Sequence, residues 1–212
     1  RKISILSSIA TGETIDYRHI HTEGIRRISA RDIQYADQLG YKIKLLAVSR
    51  LDPDNLLEIY VAPALISKES ALSVADGEYN AILIDGNALG PAMFYGRGAG
   101  KLPTASAVVA DVIESVLHLG LKPHIIRWDL PEKITILNYE DCAMKAFVRF
   151  EDGENARDVL DLLEMHTDVT YLQKEYPGEL AVMIGKTRPI TVGRVASILA
   201  RCVSCLSVIR VL

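Results

Sequence analysis

The order of strand and helix patterns from residue 144 onward limits the possible folds more than any other feature of this sequence. Apolar residues first alternate as in a strand, then recur at helical spacing, then form two strands across Pro177-Gly178, a second helix and a final strand. The predicted elements cover residues 144–150, 155–165, 169–176, 180–186, 192–200 and 203–211. Because βαββαβ is the order of the split βαβ unit, we predict a ferredoxin-like domain over residues 141–212.

The preceding part of the chain predicts helices followed by pairs of strands. A helix over residues 2–11 is predicted from apolar residues at helical spacing, namely Ile3, Leu6, Ile9 and Ala10. Ser29 and Asp32 have the spacing of a capping box for a second helix, whose predicted apolar face comprises Ile33, Ala36 and Leu39. Strand pairs are predicted over residues 41–49 and 56–62, the latter closed by Pro63, and over 79–84 and 92–95. These elements predict an α+β fold, a layered mixed or antiparallel sheet with helices.

A run of alternating glycines, Gly96-Arg97-Gly98-Ala99-Gly100, precedes a helix that Pro103 and Thr104 are suited to begin. The first turns of this helix are apolar nearly all round, which predicts that it is covered on several sides. Backbone N–H groups of glycines at a helix N-terminus can approach an anion closely. The run matches neither the Walker A loop nor G-x-G-x-x-G, so cofactor contact and a tight structural loop both stay open for Gly96, Gly98 and Gly100.

Other candidate sites have simpler interpretations. Cys202 and Cys205 have zinc or redox spacing, but Cys142 is the one further cysteine, so small buried side chains are favoured. His19 and His21 could be a pair of metal ligands, but no third ligand follows at a sequence spacing typical of a metal site. The sequence therefore predicts no metal site.

Lys2 lies in the first predicted helix beside apolar residues. Such a lysine usually covers apolar surface with its stem and keeps its charge in water. In a desolvated cleft it could instead exchange protons near neutral pH. The spacing of residues around Lys2 does not distinguish between these two roles.

Charge and hydropathy exclude some partners. The formal net charge is −3 and the pI about 6.0, which gives no electrostatic reason to expect nucleic acid or an anionic membrane. No apolar stretch approaches the roughly 20 residues that span a bilayer. Three cysteines, an odd number, favour a reducing compartment, so we expect a cytoplasmic protein.

Several motifs of residues 1–120 occur in a fixed order. They are Arg1-Lys2-Ile3-Ser4-Ile5-Leu6, Gly24-Ile25, Asp32-Ile33, the segments 39–47 and 80–86, Gly90, the segment 93–100, and the segment 103–111. Together they resemble the bacterial homoserine dehydrogenases. Residues 141–212 resemble the ACT regulatory domain that is common at the C-terminus of these enzymes, through element order and hydrophobic pattern.

The resemblance implies a function. The family interconverts L-homoserine and L-aspartate 4-semialdehyde with NAD or NADP, on the route to threonine, methionine and isoleucine. It implies that Lys2 is the catalytic lysine, which relays the proton of the substrate hydroxyl, and that Gly96, Gly98 and Gly100 lie against the cofactor. It also implies a homodimer or homotetramer, with L-threonine as a regulator.

The implied organisation has four parts. They are a substrate-binding and dimerisation domain over residues 1–103, a helix over 104–120 that returns to a nucleotide-binding domain, a linker over 121–140, and an ACT-like regulatory domain over 141–212.

The sequence departs from the family in two respects. An N-terminal Rossmann domain with G-x-G-x-x-G is missing, so we expect a C-terminal part of the enzyme that is inactive alone. The D-x-P-G-type turn of the ACT domain is replaced by Asp152-Gly153-Glu154-Asn155, which counts against amino-acid binding there. Alternatives are a non-catalytic ACT-type sensor of amino acids and a dimerisation scaffold.

Overall fold

The computed structural model describes residues 1–121, 134–173, 176–201 and 205–212. The chain forms two compact units, the larger of residues 1–66 and 128–212 and the smaller of residues 67–127. The helices are α1 (Lys2–Thr11), α2 (Ala30–Gln38), α3 (Lys101–Leu117), α4 (Glu154–His166) and α5 (Val192–Leu199). The strands are β1 (His21–Thr22), β2 (Tyr41–Leu51), β3 (Leu56–Ser67), β4 (Tyr79–Gly86), β5 (Gly90–Arg97), β6 (Thr135–Ile136), β7 (Ala143–Met144), β8 (Ala146–Glu151), β9 (Val169–Tyr171), β10 (Glu179–Ile184), β11 (Ile190–Thr191) and β12 (Cys205–Val211).

The larger unit is built on a mixed sheet with the strand order β1-β3-β12-β8-β10-β9, and β2 and β6 also pair with β3. Strands β12, β8, β10 and β9 are antiparallel neighbours, with α4 and α5 as their connections. The predicted βαββαβ order of the C-terminal part is therefore confirmed, and so is the prediction of a mixed sheet with helices.

The sheet does not stop at the predicted domain boundary near residue 140. Strand β12 pairs in parallel with β3, so that Arg210 lies opposite Ala64 and Val211 opposite Leu65. The split βαβ unit (β8 to β12 with α4 and α5) thus shares one sheet with the first part of the chain. The predicted division at residues 103, 120 and 140 stays a prediction, and most of the predicted linker lies outside the described residues.

Strand β3 is longer than predicted, because Pro63 does not close it. The strand continues to Ser67 with Pro63 buried. Strand β1 pairs with β3 at Tyr60 and Val61, and β12 pairs with it at Ala64 and Leu65. Pro63 falls between these two stretches, where its missing N–H donor interrupts neither of them.

The two faces of the sheet carry different cores. One face packs under α4 and α5, with a core that includes Val148, Phe150, Leu160, Leu163, Val182 and Ile198. The other face packs under α2, with a core that includes Tyr35, Ala36, Leu65, Phe147, Ala181 and Ile209. The capping box of Ser29 and Asp32 is confirmed.

The predicted apolar face of α2 is partly wrong. Ile33 is 56% exposed, whereas Tyr35 and Ala36 are each 2% exposed. Asp32, Tyr35 and Ala36 share one side of the helix by their spacing. The buried ion pair of Asp32 with Arg149 on β8 turns that side toward the sheet.

The smaller unit contains a hairpin and a helix. Strands β4 and β5 pair over their whole length, from Tyr79 opposite Arg97 to Gly86 opposite Gly90, which confirms the predicted hairpin. Helix α3 begins at Lys101, earlier than predicted, and none of its residues is buried. Its exposed apolar side chains include Val108, Val109, Val112, Ile113, Val116 and Leu117. Across the ranges that the structure covers, no helix is both long and apolar enough to cross a membrane.

Candidate active site

Lys2 lies in the first turn of α1, and its side chain is exposed. The helix is fixed beside the segment that follows it. The Ser4 hydroxyl donates a hydrogen bond of 2.5 Å to the carbonyl oxygen of Ile15, and the Ile15 N–H donates one of 2.9 Å to the Ser8 hydroxyl. Two hydroxyls that are one helical turn apart therefore bind both backbone groups of one residue.

The predicted helix over residues 2–11 is confirmed, and its buried side is polar. Its buried residues are Ser4, Ser7 and Thr11, while Leu6 is 43% and Ile9 53% exposed. These hydroxyls can be buried because they have partners. Ser7 bonds the Ser49 hydroxyl of β2 at 2.7 Å, and Thr11 donates to the Ser7 carbonyl oxygen. Satisfied hydroxyls can be buried at little cost.

Sequence analysis missed these serines, although the sequence contains a signal for them. Ser4, Ser7, Ser8 and Thr11 recur at the helical spacing i, i+3, i+4 and i+7. The prediction of α1 used the apolar residues at helical spacing and not these hydroxyls, which follow the same spacing. A helix with two such stripes, one apolar and one of hydroxyls, can bury either of them.

The residue before Lys2 contacts the segment after α1. The Arg1 guanidinium carbon lies 4.8 Å from the centre of the Tyr17 ring, and Arg1 Nη2 is 3.5 Å from the Tyr17 hydroxyl. Tyr17 begins a 3₁₀ turn that the Asp16 side chain caps by accepting from the Arg18 N–H. Hydrogen bonds from Arg18 hold the pKa of Asp16 at about 2, so this cap stays charged.

The glycine run forms the end of β5 and the entry to α3. The Gly98 N–H donates to the Glu78 carbonyl oxygen at 2.9 Å, and a Cβ on Gly98 would overlap the Asn80 amide. Nothing lies within 4 Å of a Cβ placed on Gly96. Gly100 has a φ of +112°, which favours glycine, and is the N-cap of α3.

Side chains around the glycine run fix its shape. Arg97 pairs with Glu78 at 3.3 Å, and its Nε is 3.3 Å from the Tyr79 hydroxyl. The rings of Tyr79 and Tyr95 stack with centres 5.0 Å apart. Gly96, Gly98 and Gly100 therefore lie together in the smaller unit, whereas Lys2 belongs to the larger one.

The cysteines give no support to a reactive or metal-binding site. Cys142 is buried, and its burial, reinforced by Glu58, raises the pKa of its thiol to about 11. A thiol with so high a pKa is almost entirely protonated at neutral pH and is a poor nucleophile. Cys205 is half-buried, and Cys202 lies outside the described residues.

Of the two candidate histidines of the sequence, His21 contacts an aromatic ring and a carboxylate. The His21 ring stacks on Tyr139 with centres 3.6 Å apart, and its Nε2 is 2.7 Å from a Glu23 carboxylate oxygen. Burial raises the pKa of Tyr139 to about 12. Among the residues that the structure describes, no three His, Cys, Asp or Glu side chains are grouped as a metal site would require.

The chain was compared with known proteins. The sequence profile of the homoserine dehydrogenase family matches residues 1–113, the stretch that contains Lys2 and the glycine run. The homoserine dehydrogenase of Neisseria gonorrhoeae is 32% identical over 200 residues, which are 94% of this chain. The chain belongs to the homoserine dehydrogenase family.

Two further homoserine dehydrogenases show how much of its relatives' length this chain spans. That of Synechocystis is 48% identical over 118 residues, 54% of this chain. The crystal structure of a homoserine dehydrogenase from Thiobacillus denitrificans covers the whole chain at a TM-score of 0.82 and 31% identity. The chain spans 27% of the Synechocystis protein, 40% of the Neisseria protein and 52% of the chain in that crystal structure.

Proposed function

We propose that this chain forms the substrate-side half of an enzyme that interconverts L-homoserine and L-aspartate 4-semialdehyde with NAD or NADP. The observation that carries the proposal is the family match over residues 1–113, which includes Lys2 and the three glycines. The alternatives, a sensor or a scaffold, would require neither an exposed, fixed lysine nor the glycine run.

In the proposed reaction Lys2 moves a proton. During oxidation of homoserine, the C–H bond of the carbinol carbon breaks as hydride while the hydroxyl loses its proton, and the neutral amine of Lys2 accepts that proton at Nζ. In the reverse direction the Lys2 ammonium returns the proton to the developing alkoxide. A positioned general acid and base of this kind contributes typically 10²- to 10⁴-fold to a rate.

The glycine run fits a phosphate-bearing cofactor. The first turn of α3 contains no acidic residue, and the N-cap Gly100 makes no side-chain hydrogen bond to it. The N–H groups of this turn, together with the positive end of the helix dipole, suit an anion. NAD or NADP, when bound, supplies the hydride acceptor. Gly96, Gly98 and Gly100 would lie against it through their backbone, with open space on the Cβ side of Gly96 and the Asn80 amide on that of Gly98.

Turnover by a longer protein tests this proposal. In the extended enzyme, the part of the Neisseria gonorrhoeae homoserine dehydrogenase that precedes its matched region is joined before residue 1. We expect it to reduce NAD or NADP with L-homoserine, and the 212-residue chain alone to show no turnover, because the chain contains no dinucleotide fingerprint. An extended enzyme that folds, binds the cofactor and does not turn over homoserine would contradict the proposal.

Substitution of single glycines tests the cofactor role of the run. Gly98→Ala displaces the Asn80 amide and with it the loop, whereas Gly86→Ala, in the same hairpin but outside the glycine run, enters open space. We expect Gly98→Ala to raise the KM for the cofactor in the extended enzyme by about tenfold or more, since misplaced groups lose binding steeply. Gly86→Ala, the matched control for added bulk, should leave it nearly unchanged. Equal effects of the two would show that Asn80 does not hold the loop.

For the C-terminal part we propose an ACT-type regulatory domain, with L-threonine as the candidate ligand. The strand order β12-β8-β10-β9 supports it, since this is the split βαβ arrangement. Calorimetry of the full chain with L-threonine is the test, because β12 also pairs with β3, a strand outside the proposed domain. Binding together with inhibition of the extended enzyme supports regulation, and binding without any turnover favours the sensor. Absence of binding contradicts both.

We also propose a homodimer or homotetramer. The hairpin β4–β5 exposes large apolar side chains, namely Ile82, Leu83, Ile84, Met93, Phe94 and Tyr95. Apolar patches of this kind mark association surfaces. Sedimentation of the extended enzyme should give twice or four times the protomer mass.

A further inference from the structure

Helix α1 is held by directional bonds in addition to the apolar contact of Ile3. Ser4 is 8% and Ser7 2% exposed, whereas Ile5 is 61% exposed. Apolar contacts tolerate small shifts of a helix, because dispersion and burial change gradually with distance. Hydrogen bonds weaken steeply with angle and distance, so they set position more sharply.

The bonds of Ser4 and Ser8 to Ile15 form a two-point clamp. Ser4 donates to the carbonyl oxygen and Ser8 accepts from the N–H of this one residue, at 2.5 and 2.9 Å. A shift of α1 by one residue moves each hydroxyl by about 1.5 Å along the axis and about 100° around it, which breaks both bonds. The clamp therefore fixes both the rotation and the axial position of the helix.

The residue on the other side of the clamp is itself immobilised. Ile15 is 4% exposed and belongs to an apolar cluster with Ile20, Leu57, Ile59 and Ile134, against which Ile3 packs. Leu57 and Ile59 belong to β3, the strand that joins the two parts of the sheet. The clamp therefore fixes the position of α1 relative to β3, a largely buried strand of the larger unit.

We propose that Ser4 and Ser8 are positioning residues for Lys2, which lies in the same first turn as Ser4. This inference rests on the proposed function, in which Lys2 Nζ must lie within hydrogen-bond reach of the substrate hydroxyl. The serines touch no reacting atom themselves. They act by fixing the backbone that carries Lys2, and a displacement of about 1 Å can cost about 10²-fold in rate.

The test uses the extended enzyme with Ser4→Ala, Ser8→Ala and the double variant. We expect each single variant to lower kcat about 10-fold and the double variant about 10²-fold, with the KM for the cofactor nearly unchanged. Ser197→Ala is the matched control, because this exposed serine of α5 bonds only within its own helix, to the Arg194 carbonyl oxygen. It should leave kcat unchanged.

Combination with Lys2→Ala separates positioning from a merely structural role. If Ser4 acts through Lys2, Ser4→Ala should lower kcat no further in the Lys2→Ala background. A further tenfold loss in that background, or an unchanged kcat in the Lys2-containing enzyme, would overturn the inference. A parent enzyme without turnover would instead overturn the proposed function, and the inference with it. Hydrogen exchange of the α1 amides checks that the variants remain folded.

Discussion

Lys2→Ala in the extended enzyme is expected to lower kcat by roughly 10²- to 10⁴-fold. The amine is the group proposed to accept the hydroxyl proton as hydride leaves, so its removal leaves that proton without an acceptor in the transition state. Interactions made in the transition state alone lower kcat and kcat/KM together when they are lost. Steady-state rates at saturating homoserine and cofactor measure both quantities.

Two variants distinguish the loss of proton transfer at Lys2 from the loss of its charge and from a nonspecific effect of removing a lysine. Lys2→Arg keeps a positive charge but cannot release a proton near neutral pH, so its kcat should stay close to that of Lys2→Ala. Lys145→Ala removes an exposed lysine between β7 and β8 and should have no effect. A Lys2→Ala enzyme within a few-fold of the parent would remove Lys2 from the mechanism.

The C-terminal elements could be predicted from the sequence because their patterns are local. Helix α4 shows the period of 3.6 that an amphipathic helix imposes, and strand β8, which is buried on both faces of the sheet, is a short and mostly apolar run. The capping box of Ser29 and Asp32 is local in the same way, since its partners are three residues apart. Such features depend on neighbours in the sequence.

The parts that were not predicted depend on partners outside the element concerned. Helix α1 buries its serines because Ile15 and Ser49 offer hydrogen bonds, which no hydropathy pattern of the helix itself reveals. Pro63 is tolerated because of where two other strands pair with β3. The pairing of β3 with β12 joins residues that are far apart in the sequence, such as Ala64 and Arg210.

The prediction of the candidate site rests on the resemblance to a family and not on local patterns. Spacing left Lys2 undecided between a solvated stem and a proton carrier, and it left the glycine run undecided between a loop and a cofactor contact. The resemblance to the homoserine dehydrogenases favours the proton carrier and the cofactor contact, and these two roles stay predictions. A single exposed lysine has no periodic signature, so composition and period could not have found it.

Asp32 has a second role that its sequence position conceals. Besides capping α2, its carboxylate lies 3.0 Å from Arg149 Nε on β8, and the two side chains are 0% and 6% exposed. Arg149 also pairs with Glu179 at 3.2 Å and donates to the Ser29 hydroxyl. This network fastens α2 to the split βαβ unit.

Asp32→Asn in the 212-residue chain should therefore lower the free energy of unfolding by about 3 kcal/mol. Removal of one partner of a buried ion pair typically costs about 3–5 kcal/mol, because the other charge stays buried. The lower end applies here, since Glu179 still faces Arg149. Urea unfolding measures the change, and Asp158→Asn, which alters an exposed aspartate of α4, should leave it within error.

The same variant has a pH signature that a loss of packing would not produce. Burial opposes ionisation of Asp32, but hydrogen bonds from Ser29 and the Arg149 charge outweigh it and hold the pKa of Asp32 below its ordinary value. The unfolded chain therefore binds a proton at this site more readily than the folded chain does. The contribution of Asp32 is fully present above the unfolded pKa of about 3.9 and is lost as the pH falls through the lower folded value. Between about pH 5 and pH 3, the parent should lose stability more steeply than Asp32→Asn, and parallel slopes would contradict a charged, stabilising Asp32.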